Sequence, residues 1–111
     1  MLYIGGQIMN TFEATAELMK ILDSRRTSLY EQNKEKFKVI SRIFDYCLNS
    51  MSNEYRNVLD KTFINPSYKF WWVDYYSQSS FYRMRQKAVS SFVSLYMMIY
   101  ENLNDFTNII A

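Results

Sequence analysis

Apolar residues recur at helical spacing along most of the chain, and this pattern predicts the main elements. Over about 10–23 they fall every three or four residues, as on one face of a helix. The stretch DSRRTS interrupts the pattern, and Ser28 and Glu31 have the spacing of a capping box. We therefore expect one helix over about 10–23 and a second over about 29–50. The predicted inward residues of the first are Phe12, Ala16, Met19 and Leu22.

The second predicted helix has two distinct faces. Its apolar side chains share one face, which should turn towards the core, while its basic side chains should be solvated. The apolar set is Phe37, Ile40, Ile43, Phe44, Cys47, Leu48 and Met51. The basic set is Lys34, Lys36, Lys38 and Arg42.

Two shorter helices should follow. Ser52 can cap a third helix over about 53–64, and the sequence INPS then ends it. Pro66 disfavours the α conformation at the residue before it and suits the entry of a further helix. With Ser67 as its cap, this fourth helix would cover about 67–75 and contain YKFWWVDY. The inward residues predicted for the third helix are Tyr55, Val58, Leu59 and Phe63.

The last segment has the most regular pattern. Its apolar residues step by three or four without a miss, which predicts a long helix from Ser77 to about residue 103. The stepping residues are Phe81, Met84, Ala88, Phe92, Leu95, Tyr96, Ile99 and Leu103.

Taken together, the pattern predicts a single all-α domain over 1–111 with about five helices. Residues 1–9 should form a short irregular lead, with Gly5 and Gly6 as a flexible joint. We expect an orthogonal bundle in which the helices within 1–64 support a helix-turn-helix over 67–103.

The composition agrees with long helices around one core. Of the 111 residues 49% are hydrophobic and 18% aromatic, whereas glycine occurs twice and proline once. That scarcity argues against a turn-rich β-sandwich. The formal charge is +2, from 13 basic and 11 acidic residues. This excess is too small to indicate a nucleic-acid partner, so any such argument must rest on where the charges lie.

Several classes of chemistry lack their residues. There is no histidine and only one cysteine, Cys47, so histidine-based catalysis and the usual zinc ligand sets are excluded. No phosphate-binding glycine loop is present. We therefore expect a non-enzyme that needs no cofactor, with Cys47 buried and inert. Since no signal peptide and no apolar run of membrane-spanning length is recognisable, we expect a cytoplasmic protein without a membrane partner.

The run from Trp71 to Phe92 combines a tryptophan pair, a polar turn and a helix with basic residues. A short helix ending near Tyr75 and a second starting at Ser77 would be joined by only a few residues. Two helices joined so tightly cross steeply, as in a helix-turn-helix. The first turns of the second helix would then be exposed and able to enter a major groove. Of Trp71 and Trp72, one should pack inward and the other lie at the surface.

The side chains of this second helix suit duplex DNA. Arginine can pair with guanine, glutamine with adenine, and lysine can neutralise a phosphate. Between Tyr68 and Val89, Asp74 is the only acidic residue against four basic ones, so the run is locally positive. Arg85 lies at the flank and would contact the DNA backbone. The candidate DNA-binding residues are Ser77, Gln78, Ser79, Ser80, Tyr82, Arg83, Arg85, Gln86, Lys87 and Lys69.

The segment YYSQSSFYRMRQKAVSSFVSLY resembles the C-terminal helix-turn-helix of ArpU-type phage late-gene regulators, and more distantly region 4 of sigma-70-type factors. Small sigma-like proteins of mycoplasmas are also similar, and the Asn-, Lys-, Ile- and Tyr-rich composition would suit such an AT-rich genome. The matching positions are Ser77, Ser79, Ser80, Phe81, Tyr82, Arg83, Lys87 and Ala88. The resemblance, which covers about 25 residues, implies a transcriptional regulator that binds double-stranded DNA and, in the sigma case, contacts RNA polymerase.

Two other interpretations stay open. A basic helix face is also what an ordinary solvated helix presents. The second interpretation is a helical protein–protein adaptor or a homodimer without nucleic-acid binding, since apolar residues near the end of the chain occupy more than one face. These residues are Tyr96, Met97, Met98 and Tyr100. The two functions can coexist, because a dimer can present two half-sites.

Overall fold

A computed structural model of the chain describes residues 2–4 and 7–103, and within them it is mainly helical, as the all-α class predicts. Two short antiparallel strands precede four α-helices. The elements are β1 (Leu2–Ile4), β2 (Gln7–Met9), α1 (Thr11–Tyr30), α2 (Lys34–Asn49), α3 (Asn53–Leu59) with a π-helical turn (Asp60–Ile64) directly after it, and α4 (Gln78–Glu101).

The start of the chain differs from the irregular lead that we predicted. Strands β1 and β2 pair in antiparallel register, with Leu2 opposite Met9 and Ile4 opposite Gln7. The proposed joint at Gly5 and Gly6 lies outside the described residues. Strand β1 also lies against α4, so the pair is part of the packed structure.

Helix α1 is longer than its sequence pattern suggested, and the capping box at Ser28 is wrong. Ser28 lies inside α1 and is fully buried, where its small side chain fits the packed face. Gln32 then takes a left-handed conformation (φ 57°), and Asn33 caps α2 by accepting a hydrogen bond from the Lys36 amide. The second helix therefore starts at Lys34, about one turn later than predicted.

The buried face of α1 is also not the predicted one. Phe12 is 83% exposed and Met19 52% exposed, whereas Ala14, Leu18 and Ile21 are buried. Both sets repeat every three or four residues, so the spacing alone fits either stripe. Packing against α2 and α4 decides between the two stripes, and of the predicted set only Leu22 is partly buried against the core.

Helix α4 is the central element. It contacts α1, α2 and α3, and buried apolar residues from all four helices form one cluster. Phe44 of α2 meets Phe92 of α4 edge to face, with ring centroids 5.0 Å apart. Cys47 is buried in the same cluster, as predicted, and its burial raises the pKa of the thiol to about 12. The neutral thiol is therefore a poor nucleophile near neutral pH.

The third predicted helix is confirmed, but the fourth is wrong. The Ser52 hydroxyl accepts a hydrogen bond from the Tyr55 amide at 3.2 Å, and the helical path continues through the π-helical turn to Ile64. Asn65, before Pro66, leaves the helical region (φ −124°, ψ 78°), as that proline favours. Residues 69–75 then form consecutive turns, so the described residues contain four α-helices rather than about five.

We expect Phe92→Ala to lower the free energy of unfolding by about 3–5 kcal/mol, because it removes a fully buried ring and leaves a cavity beside Phe44. Phe12→Ala is the matched control, since this ring is mostly exposed and its loss should change the free energy by no more than about 0.5 kcal/mol. Urea titration followed by circular dichroism measures both. Equal losses in the two variants would contradict the described core.

Candidate nucleic-acid interface

The predicted site begins at Phe81, which joins the chain before α4 to the helix itself. Phe81 is buried in the first turns of α4 and contacts rings on both sides of the chain. Trp72 stacks on it almost parallel, with centroids 4.6 Å apart and 6° between the planes. Trp71 meets it edge to face at 5.6 Å. Phe81 therefore anchors residues 68–76, which we call the aromatic turn segment.

Local hydrogen bonds shape the aromatic turn segment. Backbone amides bond to the carbonyl three residues earlier, as from Trp71 to Tyr68 at 3.0 Å and from Val73 to Phe70 at 3.1 Å. At its end, the Tyr76 hydroxyl donates to Glu54 Oε1 of α3 at 3.0 Å. Partial burial, this hydrogen bond and the carboxylate charge all raise the pKa of Tyr76. The segment is thus tied to α3 as well as to α4.

The two tryptophans do not divide as predicted. Trp71 and Trp72 are both partly buried, and both pack against the core. The reason is that Phe81 stacks on Trp72 and also meets Trp71 at a right angle, so neither tryptophan has to point outward. The tryptophan pair is thereby explained as an anchor for the chain entering α4.

Helix α4 starts where the sequence predicted. Ser77 is its N-cap, and its hydroxyl accepts a hydrogen bond from the Ser80 amide at 3.3 Å. Among the candidate residues, all except Arg85, which is partly buried, are exposed. Ser79, Tyr82, Arg83 and Gln86 follow the three-and-four spacing of one helix side. The start of α4 therefore presents a continuous polar face to solvent.

That exposed face is short. Val89 and Val93, further along α4, are buried although they extend the same side of the helix. Residues 78–87 are therefore the accessible part, roughly 15 Å long at 1.5 Å per residue. An α-helix with its side chains is about 10–12 Å across, close to the width of a B-DNA major groove at about 12 Å, so these exposed turns have dimensions compatible with such a groove.

The cations near the start of α4 separate into two groups. Arg83 and Lys87, one turn apart, lie on the exposed face, and neither forms an ion pair within the described part of the chain. Arg85 and Lys69 lie over rings instead. The Arg85 guanidinium carbon is 5.1 Å from the centroid of Phe63, and Lys69 Nζ is 5.4 Å from that of Phe70. The ten candidates thus do not form a single surface.

The sequence reasoning missed Lys61. It lies on the π-helical turn, and its Nζ is 5.0 Å from the centroid of Trp71. No sequence signal could have found this contact, since it depends on the path of the chain through Pro66. With Lys61 included, residues 61–100 carry five basic side chains and one acidic side chain, Asp74. The positive region extends beyond α4 itself.

Comparison of the chain with protein-family models, curated proteins and solved structures gives no match. In the described part of the chain, His, Cys, Asp and Glu residues form no group of three or more that could hold a metal ion. Each of the four α-helices is too short or too polar to cross a membrane. The case for function therefore rests on the geometry of α4 and its surroundings.

We expect Phe81→Ala to release the aromatic turn segment, because the tryptophans lose the ring that holds them. Below the melting temperature, the fluorescence of Trp71 and Trp72 should shift to longer wavelength as both rings become more hydrated. Stability should fall by about 3–5 kcal/mol. Tyr75→Ala, at an exposed position in the same segment, should leave the emission unchanged. An unshifted emission maximum in Phe81→Ala would contradict the anchoring role.

Proposed function

We propose that the protein binds double-stranded DNA with the first turns of α4. The observation that carries the proposal is the exposed face of residues 78–87, with Arg83 and Lys87 lacking carboxylate partners among the described residues. Because such cations stay available to an incoming anion, they favour binding to a phosphate backbone. The free amides at the start of α4 add a further phosphate-binding feature.

In this proposal some side chains contact base edges and others contact phosphates. Arg83 and Gln86 have the donor patterns that pair with guanine and adenine edges, and Ser79 is short enough to approach a base. Lys87 and Lys69 would contact phosphates on either side of the groove. Arg85 is held over Phe63 and serves the flank of the interface. In this arrangement α4 supplies sequence discrimination and the neighbouring cations supply affinity.

The arrangement departs from an ordinary helix-turn-helix. The element before α4 is the aromatic turn segment, so rings rather than a preceding helix hold the start of α4. The resemblance to ArpU-type regulators and to sigma region 4 supports a role in transcription. If the protein acts as sigma region 4 does, RNA polymerase would be a second partner. The protein would thus be a cytoplasmic transcriptional regulator that catalyses no reaction and needs no cofactor.

We expect the double variant Arg83→Ala, Lys87→Ala to weaken duplex binding by at least about tenfold in a gel-shift series at low salt, since each lost cation removes a phosphate or base contact. Lys36→Ala, Lys38→Ala is the matched control: it removes the same charge from exposed positions of α2. Affinity of the unchanged protein should fall steeply with added salt. Absence of binding at low salt, or equal losses in both double variants, would refute the proposal.

A second function, self-association, is favoured by an exposed apolar pair near the end of α4. Met98 is 54% exposed and Tyr100 53% exposed. Tyr100 and its neighbour Met97 border a groove of about 540 Å³ between α1, α2 and α4. Tyr96, which we also assigned to this surface, is buried instead, and burial raises the pKa of its hydroxyl to about 12. A homodimer formed here would leave the start of α4 free for DNA.

We expect light scattering at micromolar concentration to give the mass of a dimer, and Tyr100→Lys to give that of a monomer. The added charge would have to be buried in the interface, which costs more than the contact contributes. Tyr75→Lys, at an exposed site near the other end of α4, should leave the mass unchanged. A monomer at every concentration would exclude this second function while leaving DNA binding intact.

A further inference from the structure

A groove of about 290 Å³ lies beside α4, on the flank away from Arg83 and Lys87. The π-helical turn, the aromatic turn segment and α4 form its walls. None of the residues that line it is acidic. Those that matter here are the cations Lys61, Lys69 and Arg85 and the rings of Tyr68, Trp71 and Trp72. The function proposed above uses Lys69 and Arg85 only as flanking contacts and gives no role to Lys61 or to the rings of the groove.

The three cations of the groove have no carboxylate partners in the described part of the chain. Each lies over an aromatic ring at 5.0–5.4 Å from its centroid, Lys61 over Trp71, Lys69 over Phe70 and Arg85 over Phe63. Contacts with ring faces position these side chains and leave their charge uncompensated. The groove therefore attracts an anion.

The rings of the groove are both accessible and held in place. Tyr68 is 70% exposed, while Trp71 and Trp72 are partly exposed. Phe81 covers one face of Trp72 and fixes its orientation. A planar ligand could stack on such rings with little loss of side-chain freedom, which is how proteins bind unpaired bases.

The wall that carries Lys61 is locally irregular. The chain makes a π-helical turn over Asp60–Ile64, and such turns occur frequently at functional sites. Thr62, in the same turn, also lines the groove. Its Oγ1 is shielded from solvent and has no hydrogen-bond partner in the described structure.

We propose that this groove binds one nucleotide unit, a nucleobase with its phosphate. The base stacks against Tyr68 and the tryptophans, and the phosphate lies among the three cations. At about 290 Å³ the groove is just below the range for small-ligand sites, about 300–1,000 Å³, so it takes one nucleotide rather than two. The unit is either a free nucleotide or an unpaired nucleotide of a single strand. The site is distinct from the face of α4 that carries Arg83 and Lys87, although it shares Lys69 and Arg85 with the flank of the proposed duplex interface.

The test uses the fluorescence of the full chain, in which Trp71 and Trp72 are the only tryptophans and both line the groove. The probes are deoxyadenosine monophosphate, deoxyadenosine, inorganic phosphate and a single strand of about eight deoxyadenylates. We expect saturable quenching by the monophosphate or the strand, and at least about tenfold weaker binding of deoxyadenosine and of phosphate alone, because each lacks one half of the recognised unit. If the single strand binds more tightly than the monophosphate, the ligand is an unpaired nucleotide of a strand. If it does not, the ligand is a free nucleotide.

Variants test whether the groove is the site at which the probes bind and quench the fluorescence. Lys61→Gln, Lys69→Gln should weaken quenching by at least about tenfold, through loss of the phosphate contacts. Lys36→Gln, Lys38→Gln, with the same charge change on α2, should not alter it. Arg83→Ala, Lys87→Ala should also leave it unchanged, so failure of duplex binding and failure of this site are distinguishable. No saturable quenching by any probe, or undiminished quenching in Lys61→Gln, Lys69→Gln, would overturn the proposal.

Discussion

The stack of Trp72 on Phe81 is the contact on which the arrangement of the candidate site depends. It fixes the chain before α4 against the first turns of that helix, with ring centroids 4.6 Å apart. Pro66 and the turns after it give this stretch no continuous helical hydrogen bonding of its own. Aromatic pairs contribute through both burial and ring geometry, so they can order a segment that has little regular secondary structure.

Because Phe81 anchors the aromatic turn segment, two different surfaces lie beside the start of α4. One is the exposed polar face over residues 78–87, with Arg83 and Lys87. The other is the groove lined by Lys61, Lys69 and Arg85. In the first the cations project into solvent, and in the second they lie over rings. The same excess of positive charge is thus arranged in two chemically distinct ways, for which we propose a duplex and a single nucleotide as the respective ligands.

Helix α4 combines two environments along one axis. Its first turns are exposed on one side, whereas from Ala88 onward buried residues occur on most sides. Contacts with α1, α2 and α3 hold the later part rigidly. Because the core fixes the direction of the helix, it also fixes the direction of the exposed first turns, as the proposed binding role of α4 would require.

The sequence by itself determined the helical class, the buried state of Cys47, the cap at Ser77 and the course of α4. These features depend on local spacing and on capping chemistry, which act between residues close in the chain. Only the tertiary structure decided which stripe of α1 is buried, why Ser28 lies inside that helix and how Lys61 reaches Trp71. Those outcomes depend on close approach between distant segments, since two stripes with equal spacing differ only in how well a neighbouring helix fits against them.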